Sequence, residues 1–206
     1  MKKKLLSLCL ALVLCVGLAV PAAAGETAFA DVPEDADYAD AVRWAAETGI
    51  TKGKTAAAFA PDEVCTRGQA AVFLWRIAGS PEPALTETQF VDVTDPAAYN
   101  YKAIQWAAEM DMEHFGEFWP HDPCSRLDAV YFLWRAAGSP EMEGEMPFTD
   151  MADTDGGQPR YLEQKDAVLW AAEQGVMQGT GCGTTFSPDK PCTRAQIVTF
   201  LYRAFA

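Results

Sequence analysis

The stretch Phe59-Ala-Pro-Asp-Glu-Val-Cys-Thr-Arg-Gly-Gln69 joins the end of a loop to the start of a helix, and the chain writes it three times. The second version is Phe118-Trp-Pro-His-Asp-Pro-Cys-Ser-Arg-Leu-Asp128. The third is Phe186-Ser-Pro-Asp-Lys-Pro-Cys-Thr-Arg-Ala-Gln196. Thr66 with Gln69, and Thr193 with Gln196, have the spacing of a capping box, in which an N-cap hydroxyl and a side chain three residues on satisfy each other's backbone N–H. Ser125 with Asp128 is a near match with a shorter acid. Behind each box, Phe73, Leu74 and Ile77, or Phe132, Leu133 and Ala136, or Phe200, Leu201 and Ala204, line one helical face. Ala78-Gly-Ser-Pro81 and Ala137-Gly-Ser-Pro140 are stop signals for the first two of these helices. In each Phe-x-Pro the ring is expected to pin the loop to the core, and the proline to stiffen the turn.

Upstream of each loop lies an alanine-rich segment containing Trp-Ala-Ala-Glu, centred on Ala41 to Thr48, Ala103 to Met110 and Ala167 to Gln174. Its composition predicts a first helix in each copy. Gly49 and Gly175, each followed by an apolar residue, suit a left-handed helix end. The second copy has Asp111 there and must either accept strain or end differently. Each copy opens on Phe-x-Asp: Phe29 to Asp31, Phe90 to Asp92, Phe148 to Asp150. Two helices and a loop cannot bury an apolar face alone, but three such units around a common axis can. The expectation is an all-α fold of about six helices. Trp44, Trp106 and Trp170 are expected in the core, with Trp75, Trp134 and Tyr202. A chain built from repeats is more often a scaffold or binding surface than an enzyme.

The N-terminus reads as an export signal over residues 1–24. Lys2, Lys3 and Lys4 precede an apolar run from Leu5 to Val20, Pro21 breaks it, and Ala22-Ala23-Ala24 offers a cleavage site. The net charge is −13. It becomes −16 after cleavage, because residues 1–24 hold three lysines and no acid. So acidic a chain is a poor partner for nucleic acid or an anionic membrane. With no second apolar span, no membrane association is expected after cleavage.

Beyond the signal, four cysteines remain: Cys65, Cys124, Cys182 and Cys192. Export permits disulfides, and Cys182 with Cys192, in one loop, is the first pair to consider. The other three occupy equivalent positions in separate copies and need not touch. None has metal-ligand spacing, so no metal or other cofactor is expected. A thiol at a helix start can be activated, but a small buried residue is the simpler reading. Cys124 with His121 is a weak nucleophile pair, and His114 has no counterpart in the other copies. Asp153, Asp155 and Gly156 resemble part of a calcium loop, yet Met151 and Leu162 stand where its end ligands belong. No catalytic residue is assigned.

Arg67, Arg126 and Arg194 fall at the first position of the second helix in each copy, beside the N–H groups a helix start leaves free. A planar guanidinium beside such a terminus suits a carboxylate or phosphate. Alternatively, each arginine pairs internally with Asp31, Asp92 or Asp150 and locks the fold. The two readings stand about even, and both hold if the aspartate aims the arginine.

These residues resemble the S-layer homology family, whose unit carries Phe-x-Asp-Val, an alanine-rich helix ending in Gly-Ile, a glycine-containing loop, Phe-x-Pro, and Thr-Arg-Ala-Glu opening the second helix. The resemblance covers nearly all of residues 25–206, as repeats at 25–89, 90–147 and 148–206. It implies a pseudo-threefold spindle around a helical bundle. It also implies non-covalent attachment to secondary cell-wall polysaccharide, pyruvylated in many cases, in grooves between repeats at the cell surface. Carried over by position, the groove residues are Arg67, Arg126 and Arg194, Asp31, Asp92 and Asp150, and Thr66, Ser125 and Thr193. The family's glutamate is here Gln69, Asp128 and Gln196. Copy two is contracted, with Gly116 displaced, and copy three carries an insert over 152–160. Copies one and three are therefore the better candidates for binding. The other reading is an exported interaction protein whose grooves hold a partner protein or peptide.

Overall fold

The computed structural model describes residues 29–113, 116–151, 154–155, 158–159 and 164–206. The expected export signal lies outside these residues, as do His114 and most of the insert, including Asp153 and Gly156 of the calcium-like stretch. The described residues form six α-helices: α1 (Ala39–Glu47), α2 (Arg67–Ile77), α3 (Tyr101–Glu109), α4 (Arg126–Ala136), α5 (Lys165–Glu173) and α6 (Arg194–Phe205). A 3₁₀ turn at Thr149–Met151 and a short antiparallel ladder of β1 (Thr154–Asp155) with β2 (Gln158–Pro159) complete the elements. The chain is all-α, with that ladder as a local feature of the insert.

The capping boxes form in all three copies. Thr66, Ser125 and Thr193 hydroxyls accept from the N–H of Gln69, Asp128 and Gln196, whose side chains reach back to the N-cap N–H. Asp128 therefore caps as well as glutamine does. The first helices have no side-chain cap. At their ends Gly49 and Gly175 take φ +76° and +66°, and Asp111 follows suit at +56°. Asp111 accepts the strain of the left-handed region, and its carboxylate pairs with Arg135. The N–H groups of Thr51, Met112 and Met177 close these ends on the carbonyls of Ala45, Ala107 and Ala171. Copy two reaches that bond one residue sooner, so part of its contraction lies here.

The helices pair across copies rather than within them. α3 packs on α2, α5 on α4, and α1 on α6, while α2, α4 and α6 meet one another. First and last helices thus join, and the edge contact of Trp44 with Tyr202, centroids 5.6 Å apart, seals that joint.

The three cysteines that precede the second helices close a cycle of backbone bonds. Cys124 N–H donates to Cys65 O (2.8 Å), Cys192 N–H to Cys124 O (2.9 Å) and Cys65 N–H to Cys192 O (2.9 Å). Equivalent positions, which the sequence left free to lie apart, do touch, because each residue lies directly opposite its two counterparts. Every peptide group in the cycle is both donor and acceptor, so three buried segments are satisfied without a sheet. All three side chains are fully buried, and Cys65, Cys124, Cys182 and Cys192 are all free, so the candidate Cys182–Cys192 pair is not joined.

Each opening phenylalanine packs in a tilted contact against the ring of its own Phe-x-Pro: Phe29 on Phe59, Phe90 on Phe118 and Phe148 on Phe186, with centroids 5.4–5.7 Å apart. Phe59, Phe118 and Phe186 are fully buried, and each contributes about 2–3 kcal/mol of apolar burial. Trp106, Trp134 and Trp170 are core residues, while Trp44 and Trp75 are half-buried. Tyr202 is corrected to the surface, 37% exposed, because α6 turns that position outward near the chain end. Trp75 and Trp134 have a further use: their indole N–H groups bond Pro81 O and Pro140 O and fasten the turn after each helix.

Candidate binding clefts at the starts of the second helices

Each opening aspartate caps the loop of its own copy. Asp31 accepts from the N–H of Phe59 (2.8 Å) and Ala60 (2.7 Å). Asp92 accepts from Phe118 (2.9 Å) and Trp119 (2.7 Å), and Asp150 from Phe186 (2.7 Å) and Ser187 (2.7 Å). In each copy the middle residue of Phe-x-Pro, which supplies the second N–H, turns left-handed. Ala60, Trp119 and Ser187 do so, at φ +61°, +52° and +59°. Burial alone would raise the Asp31 carboxyl; the Phe59 and Ala60 N–H groups, with Arg194 nearby, outweigh it and hold it below the ordinary value.

Each arginine reaches forward to the next copy and takes the carbonyl of that same phenylalanine. Arg67 Nε donates to Phe118 O (2.9 Å), Arg126 Nε to Phe186 O (2.7 Å) and Arg194 Nε to Phe59 O (2.9 Å). The guanidinium also lies over aromatic rings, 5.3 Å from Phe118, 5.1 Å from Phe186 and 4.8 Å from Phe59. Direct pairing of each arginine with its opening aspartate does not occur. The aspartate spends both oxygens on N–H groups, and one phenylalanine residue bridges aspartate and arginine.

The helix starts are not free anion sites. The N–H groups of Arg67 and Gly68 donate to Asp122 O and Pro120 O, those of Arg126 and Leu127 to Lys190 O and Pro188 O, and those of Arg194 and Ala195 to Glu63 O and Pro61 O. The next N–H goes to the N-cap hydroxyl. Close approach explains Gly68, where an added Cβ would lie 2.6 Å from the Asn100 side chain and 2.8 Å from Pro120 O. The three arginines are themselves 4–7% exposed, so a ligand reaches only the part of each side chain that lines a cleft, not the backbone.

The three surroundings differ. Arg194 lines a cleft of about 300 Å³ with Lys52, Lys54, Gln69, Arg76 and Tyr99, and among the described residues no carboxylate lines it. Lys54 is engaged by Glu63 (2.6 Å) and Arg76 by Ile50 O (2.8 Å). Arg126 lines a cleft of about 380 Å³ with Gln178, Thr193, Gln196 and Arg203, but Asp37 and Asp62 line it too. Arg126 Nη2 also donates to Gln178 O (2.9 Å). Burial pushes the Arg126 and Arg194 pKa values downward and outweighs the opposing pull of Asp150 on Arg126 and of Glu63 and Asp31 on Arg194. Arg67 is different: Nη2 bonds Glu113 at 2.7 Å and Nη1 bonds Asp128. Arg67 and Glu113 side chains are only 8% and 10% exposed, so this is a buried pairing. Each arginine faces the next copy, and so the contracted loop of copy two closes over Arg67 of copy one.

Burial raises the thiols of Cys65 and Cys192 to about 12, and that of Cys124 well above its ordinary value. An activated thiolate needs the reverse. His121 is exposed while Cys124 is fully buried. Among the described residues no group of three or more histidine, cysteine, aspartate or glutamate side chains could hold a metal ion. No helix among them is long and apolar enough to cross a membrane.

The S-layer homology domain matches this chain over residues 28–71 and 163–198. The first match runs from the opening Phe-x-Asp into α2, and the second from the start of α5 into α6, so both contain the arginine helix start. That domain is a binding module generally associated with cell-wall anchoring at the cell surface. No curated protein sequence matches the chain.

Proposed function

We propose that this protein attaches non-covalently to the bacterial cell wall by binding a pyruvylated secondary cell-wall polysaccharide in clefts between repeats. In this reading residues 25–89, 90–147 and 148–206 are three S-layer homology repeats in a pseudo-threefold spindle, exported by the signal at 1–24. The middle copy lies outside the family matches. Its claim rests on recurrence: the capping box, the aspartate-held loop, the forward-reaching arginine and the cysteine cycle appear in it as in the others.

One observation carries the functional reading. In a strongly acidic protein, the Arg194 cleft gathers Lys52, Lys54 and Arg76 around a guanidinium that has no ion-pair partner among the described residues. Net repulsion keeps a polyanion away except where donors are locally aimed, and a fork of N–H donors in a cleft supplies that. The cleft accommodates a sugar residue carrying an acidic substituent.

Purified walls, with and without their secondary polymer, test this. The protein is expected to sediment with intact walls and remain in solution with stripped walls. Equal sedimentation with both would overturn polymer binding and favour a protein or peptide partner.

A further inference from the structure

Three arginines at equivalent positions meet three different sets of neighbours, and two positions account for the difference. One is the third residue of the next second helix: Gln69 faces Arg194, Gln196 faces Arg126, and Asp128 faces Arg67. The other is the residue after the bond that closes each first helix: Lys52, Gln178 and Glu113, following Thr51, Met177 and Met112. All six lie beside the arginine of the preceding copy.

We propose that the groove at Arg67 is occupied by the protein itself, with Glu113 and Asp128 standing where a ligand carboxylate would bind. This rests on the reading that the Arg194 cleft takes such a carboxylate. The two internal acids divide the outer nitrogens of the guanidinium between them, while Nε keeps its structural bond to Phe118 O. Arg194 uses the same Nε bond and has no acid on its outer nitrogens among the described residues. Arg194 is 4% exposed, against 7% for Arg67, so the two grooves differ in which carboxylates hold the arginine and not in how much of it solvent reaches. Asp128 performs two tasks with two oxygens: one accepts from Ser125 N–H as a helix cap, and the other holds Arg67. Glutamine at that position caps equally well, as Gln69 and Gln196 do, but brings no charge. Glu113 and Asp128 together, where the Arg194 cleft has Lys52 and Gln69, thus close the Arg67 groove to an anion.

The experiment follows arginine side-chain ¹⁵N signals while a pyruvate-ketal monosaccharide, or its neutral methyl ester, is added to the full protein. In the wild type the acid should shift Arg194 and leave Arg67 unmoved, and the ester should shift neither. Glu113→Gln with Asp128→Gln installs neutral capping side chains and should bring in an Arg67 response with a Kd within tenfold of that of Arg194. Gln69→Asp with Lys52→Glu, which places both acids beside Arg194, should weaken the Arg194 response at least tenfold. An Arg67 response in the wild type, or none in a folded Glu113→Gln, Asp128→Gln variant, overturns self-occupation. Failure of the protein to bind intact walls while these shifts occur overturns only the wall reading. If the Glu113→Gln, Asp128→Gln variant melts early, Gln69→Asp with Lys52→Glu decides alone: an unchanged Arg194 response contradicts self-occupation.

Discussion

Asp31 and Arg194 hold one residue from two sides: the Asp31 carboxylate accepts the Phe59 N–H at 2.8 Å, and Arg194 Nε donates to Phe59 O at 2.9 Å. The two residues are far apart in sequence and belong to the first and last copies, so this grip fastens the ends of the chain together. The same arrangement links Asp92 with Arg67 through Phe118, and Asp150 with Arg126 through Phe186.

Asp31→Ala should lower stability by about 1–2 kcal/mol, the cost of two lost bonds to a charged acceptor, reduced because the carboxylate is exposed. The carboxyl titrates below its ordinary value when folded, so its contribution is complete above the unfolded pKa of about 3.9. That contribution is lost as pH falls below that value, since the unfolded chain then binds the proton more readily. Denaturant melts of wild type and variant should therefore converge at low pH. A difference that stays constant down to pH 2 would contradict the assignment.

The left-handed residues of the three Phe-x-Pro turns carry local strain. Ala60→Gly relieves about 1–2 kcal/mol of it, and the more flexible unfolded chain takes back about 0.4–1 kcal/mol. A net gain of roughly 0.5–1 kcal/mol is expected from the difference of those two effects. Ala60→Pro should lose at least 3 kcal/mol, because proline cannot reach positive φ and removes the N–H that Asp31 holds. Thermal melts of both variants check the sign of each.

Much of this was legible in the sequence. The capping boxes located α2, α4 and α6, because hydroxyl and glutamine at fixed spacing are a local signal that needs no tertiary partner. Phe59, Phe118 and Phe186 were recognisable as loop anchors for the same reason. The cysteine cycle was not legible: repeat position says which residues are equivalent, not that they face one another across an axis. Nor was the route from aspartate to arginine, which passes through a main-chain group of Phe59. The acid at Asp128, among glutamines, was visible as a departure. Its meaning needed the cross-copy packing that puts it opposite Arg67.

The thiols offer a third test. In protein produced from residue 25 onward, a thiol reagent at pH 8 should label exposed Cys182 quickly and buried Cys65, Cys124 and Cys192 only on unfolding. The folded thiol pKa values of Cys65 and Cys192 lie at about 12, above the unfolded value of about 8.5. The stability they confer is complete below pH 8.5 or so and is lost as pH rises toward 12. Labelling of all four thiols in the folded protein would contradict the buried cycle.

The measurement that bears most directly on the central claim is equilibrium binding of Lys52→Glu to purified walls. Lys52 is exposed and lines the Arg194 cleft, so the change reverses charge at the cleft while leaving the core untouched. The account predicts an unchanged melting temperature and at least a tenfold loss of binding to walls that carry the secondary polymer. Binding as tight as wild type would contradict it.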